Sequence, residues 1–104
     1  MSKIIVMDKQ FELHGISFVW DENKDRKNQH KHDGVTFEQA AEAFFDPFLK
    51  VVDASAEDEA RDAIVGMDTS WNLLFVVHIA FEEDLVRIIS ARKAVREDRR
   101  TYEN

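Results

Sequence analysis

The densest chemistry in this chain lies in "VRIISARKAVREDRR", Val86 to Arg100, which holds six of its fourteen Lys and Arg residues. Arginine suits phosphate because its planar fork offers two parallel donors to one anion. Arg92, Arg96, Arg99 and Arg100 recur at spacings of three and four, so on a helix they form one cationic ridge beside Lys93. Cations near a helix C-terminus also favour the macrodipole, so part of the ridge needs no ligand. Two further arginines sit on apolar segments, Arg61 at the start of "RDAIVGM" and Arg87 inside "LVRIISA". Each reads either as an edge charge that discourages sheet pairing or as a cation brought to a sheet face.

The histidines point less clearly. His14, His30, His32 and His78 show no metal spacing, and His30 and His32, two apart, fall on different faces of a helix. His78 stands inside the most apolar segment, where a neutral imidazole needs hydrogen-bond partners or access to a cleft. It reads as a satisfied core histidine or as a member of a site on the face it shares with Asn72. No GxxxxGK[ST], GxGxxG, HExxH or GxSxG occurs, and three glycines leave little material for a phosphate-cradling loop.

Hydrophobic period outlines the elements that must carry these residues. Ile16 to Trp20 reads as a strand, with Asp21 as N-cap of a polar helix over Glu22 to His32. Asp33-Gly34 breaks that helix, and Thr36 with Gln39 forms a capping-box start for a second, which Asp46-Pro47 ends. Strands are expected at 48–53 and 61–67, the latter after the acidic loop "ASAEDEA". From Trp71 to Phe81 the chain alternates as a central strand should, and Leu85 to Ala91 pairs back antiparallel after the turn "EED". "RKAVREDRRTYE" then leaves as a closing helix. This predicts an α+β fold: two N-terminal helices, a curled antiparallel meander and a C-terminal helix. "KIIVM" is either an added edge strand or part of an extension.

Composition bounds the answer. With 104 residues, 44% hydrophobic, eight Phe and two Trp, the chain suffices for one domain over 1–104 with one core. No apolar run approaches the roughly 20 residues of a spanning helix, and no secretory signal is visible, which predicts a cytoplasmic protein without a membrane partner. Zero cysteines exclude disulfides and thiolate-held metals. The net charge of −7 is unevenly spread: residues 1–85 hold eight Lys/Arg against eighteen Asp/Glu, and residues 86–104 hold six against three. Such a field can hold an anion at one end and a cationic partner elsewhere.

Taken in order, "FVWDENKDRKNQHKHDGVTFEQAAEAFFDP", the E-x-R-x-x-x-x-G pattern at Glu59, Arg61 and Gly66, and "VRIISARKAVREDRRTYE" resemble the BrnT family of toxin ribonucleases, over roughly residues 17–103. The resemblance implies a RelE-like fold, cofactor-free cleavage of RNA that inhibits translation and growth, and neutralisation by a BrnA-like ribbon-helix-helix antitoxin, through which alone DNA is reached. It carries onto Lys24, Lys31 and His32, onto Glu59 and Arg61, and onto Arg87, Ser90, Arg92 and Lys93. One departure is Asp33, an addition to the family's usual Lys-His-Gly step, which is expected to rotate His32 and set a carboxylate beside it. Metal-free RNA cleavage needs a base for the 2'-hydroxyl, cations for the developing charge and an acid for the leaving oxygen. Arg61 and Arg92 are the expected phosphate clamp, Arg87 and Lys93 its support, and Glu59, His78 or His32 the acid-base candidates. Lys24, Lys31 and Arg96 are further contacts to RNA. The rival reading is a non-catalytic binding module that keeps the toxin fold and its antitoxin-facing surface.

Overall fold

A computed structural model of the chain describes residues 8–54, 61–82 and 84–104. Strands β1 (Asp8–Leu13) and β2 (Ile16–Asp21) form an antiparallel hairpin with Leu13 opposite Ile16. Only His14 and Gly15 are left for the loop, with φ of 51° and 83°, the primed two-residue turn whose twist suits the flanking strands. "KIIVM" lies outside the described residues.

Both N-terminal helices start where local chemistry says they should. Asp21 caps α1 (Glu22–Lys31), accepting from the N–H groups of Asn23 at 2.8 Å and Lys24 at 3.1 Å. Thr36 and Gln39 close a reciprocal capping box on α2 (Phe37–Ala43). Between them Asp33 and Gly34 adopt consecutive left-handed conformations, φ 52° and 80°, and the Gly34 N–H returns to the Gln29 carbonyl at 2.8 Å. The additional Asp33 is thus absorbed in the terminal turn of α1.

Strands β3 (Lys50–Asp53), β4 (Asp62–Met67), β5 (Leu73–Glu82) and β6 (Leu85–Lys93) form an antiparallel meander. Strand β2 then docks parallel to β6, Ser17–Val19 along Leu85–Arg87, giving the order β1-β2-β6-β5-β4-β3. The α+β class holds, but the sheet is mixed where an antiparallel one was expected. The reason lies in β2. Phe18, Val19 and Trp20 are all buried, the continuous pattern of a strand covered on both faces rather than the alternation of a hairpin partner.

Helix α2 covers one face of the sheet, joining Phe37 and Ala40 to Phe18, Trp20, Leu74, Val76 and Ile88. Rings interlock at Phe18–Phe44 (5.3 Å between centroids) and edge-on at Trp20–Phe37 (6.0 Å). Truncating fully buried Phe37 to Ala should cost about 3–5 kcal/mol. The approach of α2 to β4 is so close that a Cβ on Gly66 would lie 2.6 Å from the Ala43 carbonyl oxygen, which is why only glycine fits there. Helix α3 (Arg96–Glu103) lies against β4, with buried Asp98 and half-buried Thr101 and Tyr102 inward and Arg96, Arg99 and Arg100 exposed. The expected helix from Arg92 onward is corrected: pairing with β5 continues through Leu74–Lys93, so Arg92 and Lys93 belong to β6 and the cationic ridge loses them.

Candidate functional site

Sheet register decides which basic residues can meet. On β5, Phe75, Val77 and Ile79 point to the face opposite α2, and their partners on β6 are Arg92, Ser90 and Arg87. In a regular strand residues 87 and 92, an odd number apart, would face opposite sides. A bulge corrects the phase: His78 pairs with Ile88 and Val77 with Ser90, leaving Ile89 without a partner on β5. Both arginines therefore reach one face. The β4–β5 pairs end at Asp62–His78, and Arg61, one residue before the strand, follows by alternation the phase of Ala63 and Val65, the partners of Val77 and Phe75. Arg61, Arg87, Ser90 and Arg92 share this face.

Each arginine there is engaged by the chain. The Arg92 guanidinium lies 4.2 Å from the centre of the Phe75 ring and donates to Asp98 Oδ2 at 2.7 Å. The same Asp98 oxygen accepts the Val95 N–H at 2.8 Å, so one buried carboxylate both starts α3 and holds Arg92. Arg87 makes a two-pronged ion pair with Asp8 on β1, whose carboxylate is fully buried. Arg61 is half-buried and also has partners.

Helix α1 takes a strand's place beside β6 beyond Arg87, where the pairing with β2 has ended. Buried Asn28 bonds the Ala91 backbone from both sides, Nδ2 to the carbonyl at 2.8 Å and the N–H to Oδ1 at 3.1 Å, and also reaches the Val35 carbonyl at 3.0 Å. His32, four residues from Asn28, lies on the inward stripe of α1 with Asp25 and Gln29, whereas Lys24 and Lys31 are exposed on its flank. His32 is the half-buried C-cap, its N–H bonded to the Asn28 carbonyl at 2.8 Å.

Three expectations change. His78 shares its face with Leu74 and Val76 beneath α2, 7% exposed and 4.8 Å edge-on from the Phe44 ring, so it is on the far side of the sheet from the arginines. Burial holds its pKa below 6.5 against the opposing pull of the Val76 backbone and the Asp62 charge, and its Nδ1 has no hydrogen-bond partner. Lys93 pairs with Leu74 and so faces away from Arg92. Arg96 lies on the exposed side of α3. Glu59 lies outside the described residues. Asn28, Phe75 and Asp98 were not anticipated; an Asn in a polar helix gives no sign that its partner is a strand edge sixty-three residues away.

Residues 20–98 match the family described as "Ribonuclease toxin, BrnT, of type II toxin-antitoxin system". The chain belongs to the BrnT family. A solved structure similar to it is that of the ribonuclease toxin BrnT of Brucella abortus, with 25% identity and a TM-score of 0.51 over 74% of this chain and 94% of that one. No curated protein matches in sequence. As a BrnT-family member the chain is the toxin side of a type II system, with an antitoxin partner and an RNA target. Among the described residues no helix is long and apolar enough to cross a membrane.

Proposed function

We propose that this BrnT-family chain is a RelE-like endoribonuclease that cleaves RNA in the cytoplasm without a metal ion or cofactor, through the arginine face of its sheet, and is neutralised by a ribbon-helix-helix antitoxin. The observation that carries this reading is the bulge at Ile89, which brings Arg87 and Arg92 to one face together with Arg61. The negative charge that builds on a phosphorane-like transition state needs preorganised cations, and a guanidinium fixed by an aromatic ring and a buried carboxylate is preorganised. Arg61 and Arg92 bind the scissile phosphate, Arg87 supports them, and Lys24 and Lys31 guide the strand along α1. His32 and Glu59 are the acid-base candidates, since His78 is under α2. Replacing Arg61 and Arg92 together by Lys, which keeps a cation beside Asp98 but not the planar fork, should lower RNA cleavage by about 10²–10³-fold in a variant that melting curves show to be folded, with chelator making no difference to the wild type. An equally active double variant would overturn the assignment.

One observation favours a second reading. Arg87 and Arg92 both already hold carboxylates, and the chain carries −7 overall, which opposes the approach of a polyanion. A non-catalytic module with the toxin fold would look like this too. Expression alone in a bacterial host separates the two: the nuclease stops growth and the module does not.

A further inference from the structure

A second surface is built for a different charge. The turn between β4 and β5 sets Trp71 at 83% exposure with a φ of +66°, a conformation that a bulky residue rarely adopts. Buried Asp68 enforces it. Its carboxylate accepts the N–H groups of Ser70 (2.9 Å) and Asn72 (2.8 Å) and the side chains of Asn72 (3.0 Å) and Gln39 (3.1 Å). From α2, Glu42 Oε1 takes both the N–H (3.0 Å) and the hydroxyl (2.8 Å) of Thr69. Trp71 is thus an exposed ring carried on a backbone that is already fixed, so docking against it need not order the turn.

Beside it runs a groove of about 320 Å³, lined by Glu42, Phe45, Asp46, Met67, Asp68 and Trp71 among others, with no Lys or Arg in its wall. Asp46 accepts from the N–H groups of Phe48 (2.9 Å) and Met67 (2.8 Å) and from the Tyr102 hydroxyl (2.5 Å). Every donor to the three carboxylates is neutral, so their charges stand uncompensated. Burial alone would raise Asp46 and Asp68, but these hydrogen bonds outweigh it and hold both below the usual carboxylate range. Three negative charges repel RNA, and Asp46 and Asp68, with both oxygens of each already accepting hydrogen bonds, make poor metal ligands. They suit a cation whose aliphatic stem lies on Phe45 and Met67 and whose head sits over the Trp71 ring.

We propose that this groove is where the antitoxin docks, through a lysine- or arginine-bearing segment with an apolar anchor, on a surface separate from the arginine face. The inference rests on the toxin-antitoxin reading for its partner, though not on the nuclease chemistry. The probe is a synthetic amphipathic peptide of lysine, leucine and phenylalanine, with a counterpart carrying glutamate for lysine. Since Trp20 is only 2% exposed, tryptophan emission should report Trp71, shifting to the blue with the basic peptide alone. By calorimetry Trp71→Ala should weaken that binding about tenfold and Glu42→Gln about threefold, with melting curves confirming that both variants fold. Equal binding of the two peptides, or an undiminished Trp71→Ala, overturns the proposal. In cells, the cognate antitoxin should co-purify with wild type and be largely lost from Trp71→Ala; full retention overturns it as well. A chain that binds the basic peptide through Trp71 yet leaves RNA intact would refute the nuclease and leave the groove standing.

Discussion

The two faces of the sheet are made from the same strands and follow opposite rules. Beneath α2, positions 74, 76, 88 and 91 are apolar and fully enclosed, and burial lowers the pKa of the titratable group among them, His78. On the other face the same strands present Arg87, Ser90 and Arg92 between half-buried Phe75, Val77 and Ile79. Cations survive there because each has a carboxylate from a neighbouring element, Asp8 from β1 and Asp98 from α3. Removing one partner of such a pair is costlier than the pair itself is favourable. A single extra residue in β6 keeps the two sets apart, so function on one face depends on a backbone irregularity that also serves the core.

Ile88→Arg should therefore break the contrast outright, because it puts a guanidinium at a 1% exposed position of the covered face. Burying a cation there and losing a core aliphatic exceeds about 4 kcal/mol, a large share of the 5–15 kcal/mol available to a small domain. The variant should show no cooperative thermal transition by circular dichroism, and retention of a sharp transition would mean that the covered face tolerates charge. Deleting Ile89, by contrast, leaves Arg87 and Arg92 an even number apart, so a regular β6 keeps both sets on their faces and the transition should survive. Next in size is Asn28→Ala, which leaves the Ala91 N–H and carbonyl without their side-chain partner in a buried setting. A loss of about 2–3 kcal/mol in urea unfolding is expected, with toxicity falling alongside because α1 is then untethered from β6.

Helix starts were legible in the sequence because capping is local: Asp21 and the Thr36–Gln39 box act within three residues. Strand β5 was legible from alternation, and β4 and β6 from short apolar runs next to turn residues. The parallel pairing of β2 with β6 was not, since it joins residues nearly seventy apart in the chain and leaves no turn signature. Nor did alternation say which face of β5 the helices would cover, because both faces are apolar there; His78 therefore stayed open between a core histidine and a site residue, and its burial under α2 decides for the core. The bulge did leave a trace, the Ile88-Ile89 doublet that interrupts an otherwise alternating "VRIISAR", and reading it would have set Arg87 and Arg92 together. The partners Asp8 and Asp98 are ordinary acidic residues in sequence and acquire meaning only through contact.

The covered face can also be tested by pH. A folded-state pKa for His78 below 6.5 means that, just under that value, the unfolded chain binds more protons than the folded one. Stability is then fully present above 6.5 and declines as pH falls toward the folded value. Between about pH 7 and 5.5, before carboxylates titrate, wild type should lose stability while His78→Gln stays comparatively flat. Equal slopes would place the titrating group elsewhere.

The smallest expected effect on stability tests the arginine face itself. Asp98 is nearly buried while the Arg92 side chain is one-third exposed, so their ion pair is partly screened and Asp98→Asn should cost no more than about 1 kcal/mol. An amide oxygen can still accept the Val95 N–H, which preserves the start of α3. What changes is competition. In the wild type a phosphate must displace a carboxylate from Arg92, whereas in the variant it meets a guanidinium held only by the Phe75 ring and a neutral amide. If Arg92 contacts RNA, Asp98→Asn should bind a short non-cleavable RNA more tightly, with a steeper dependence on salt as an additional phosphate contact is gained. If Arg92 merely fastens α3 to the sheet, affinity and salt slope will both stay as they were and only the small loss of stability will appear.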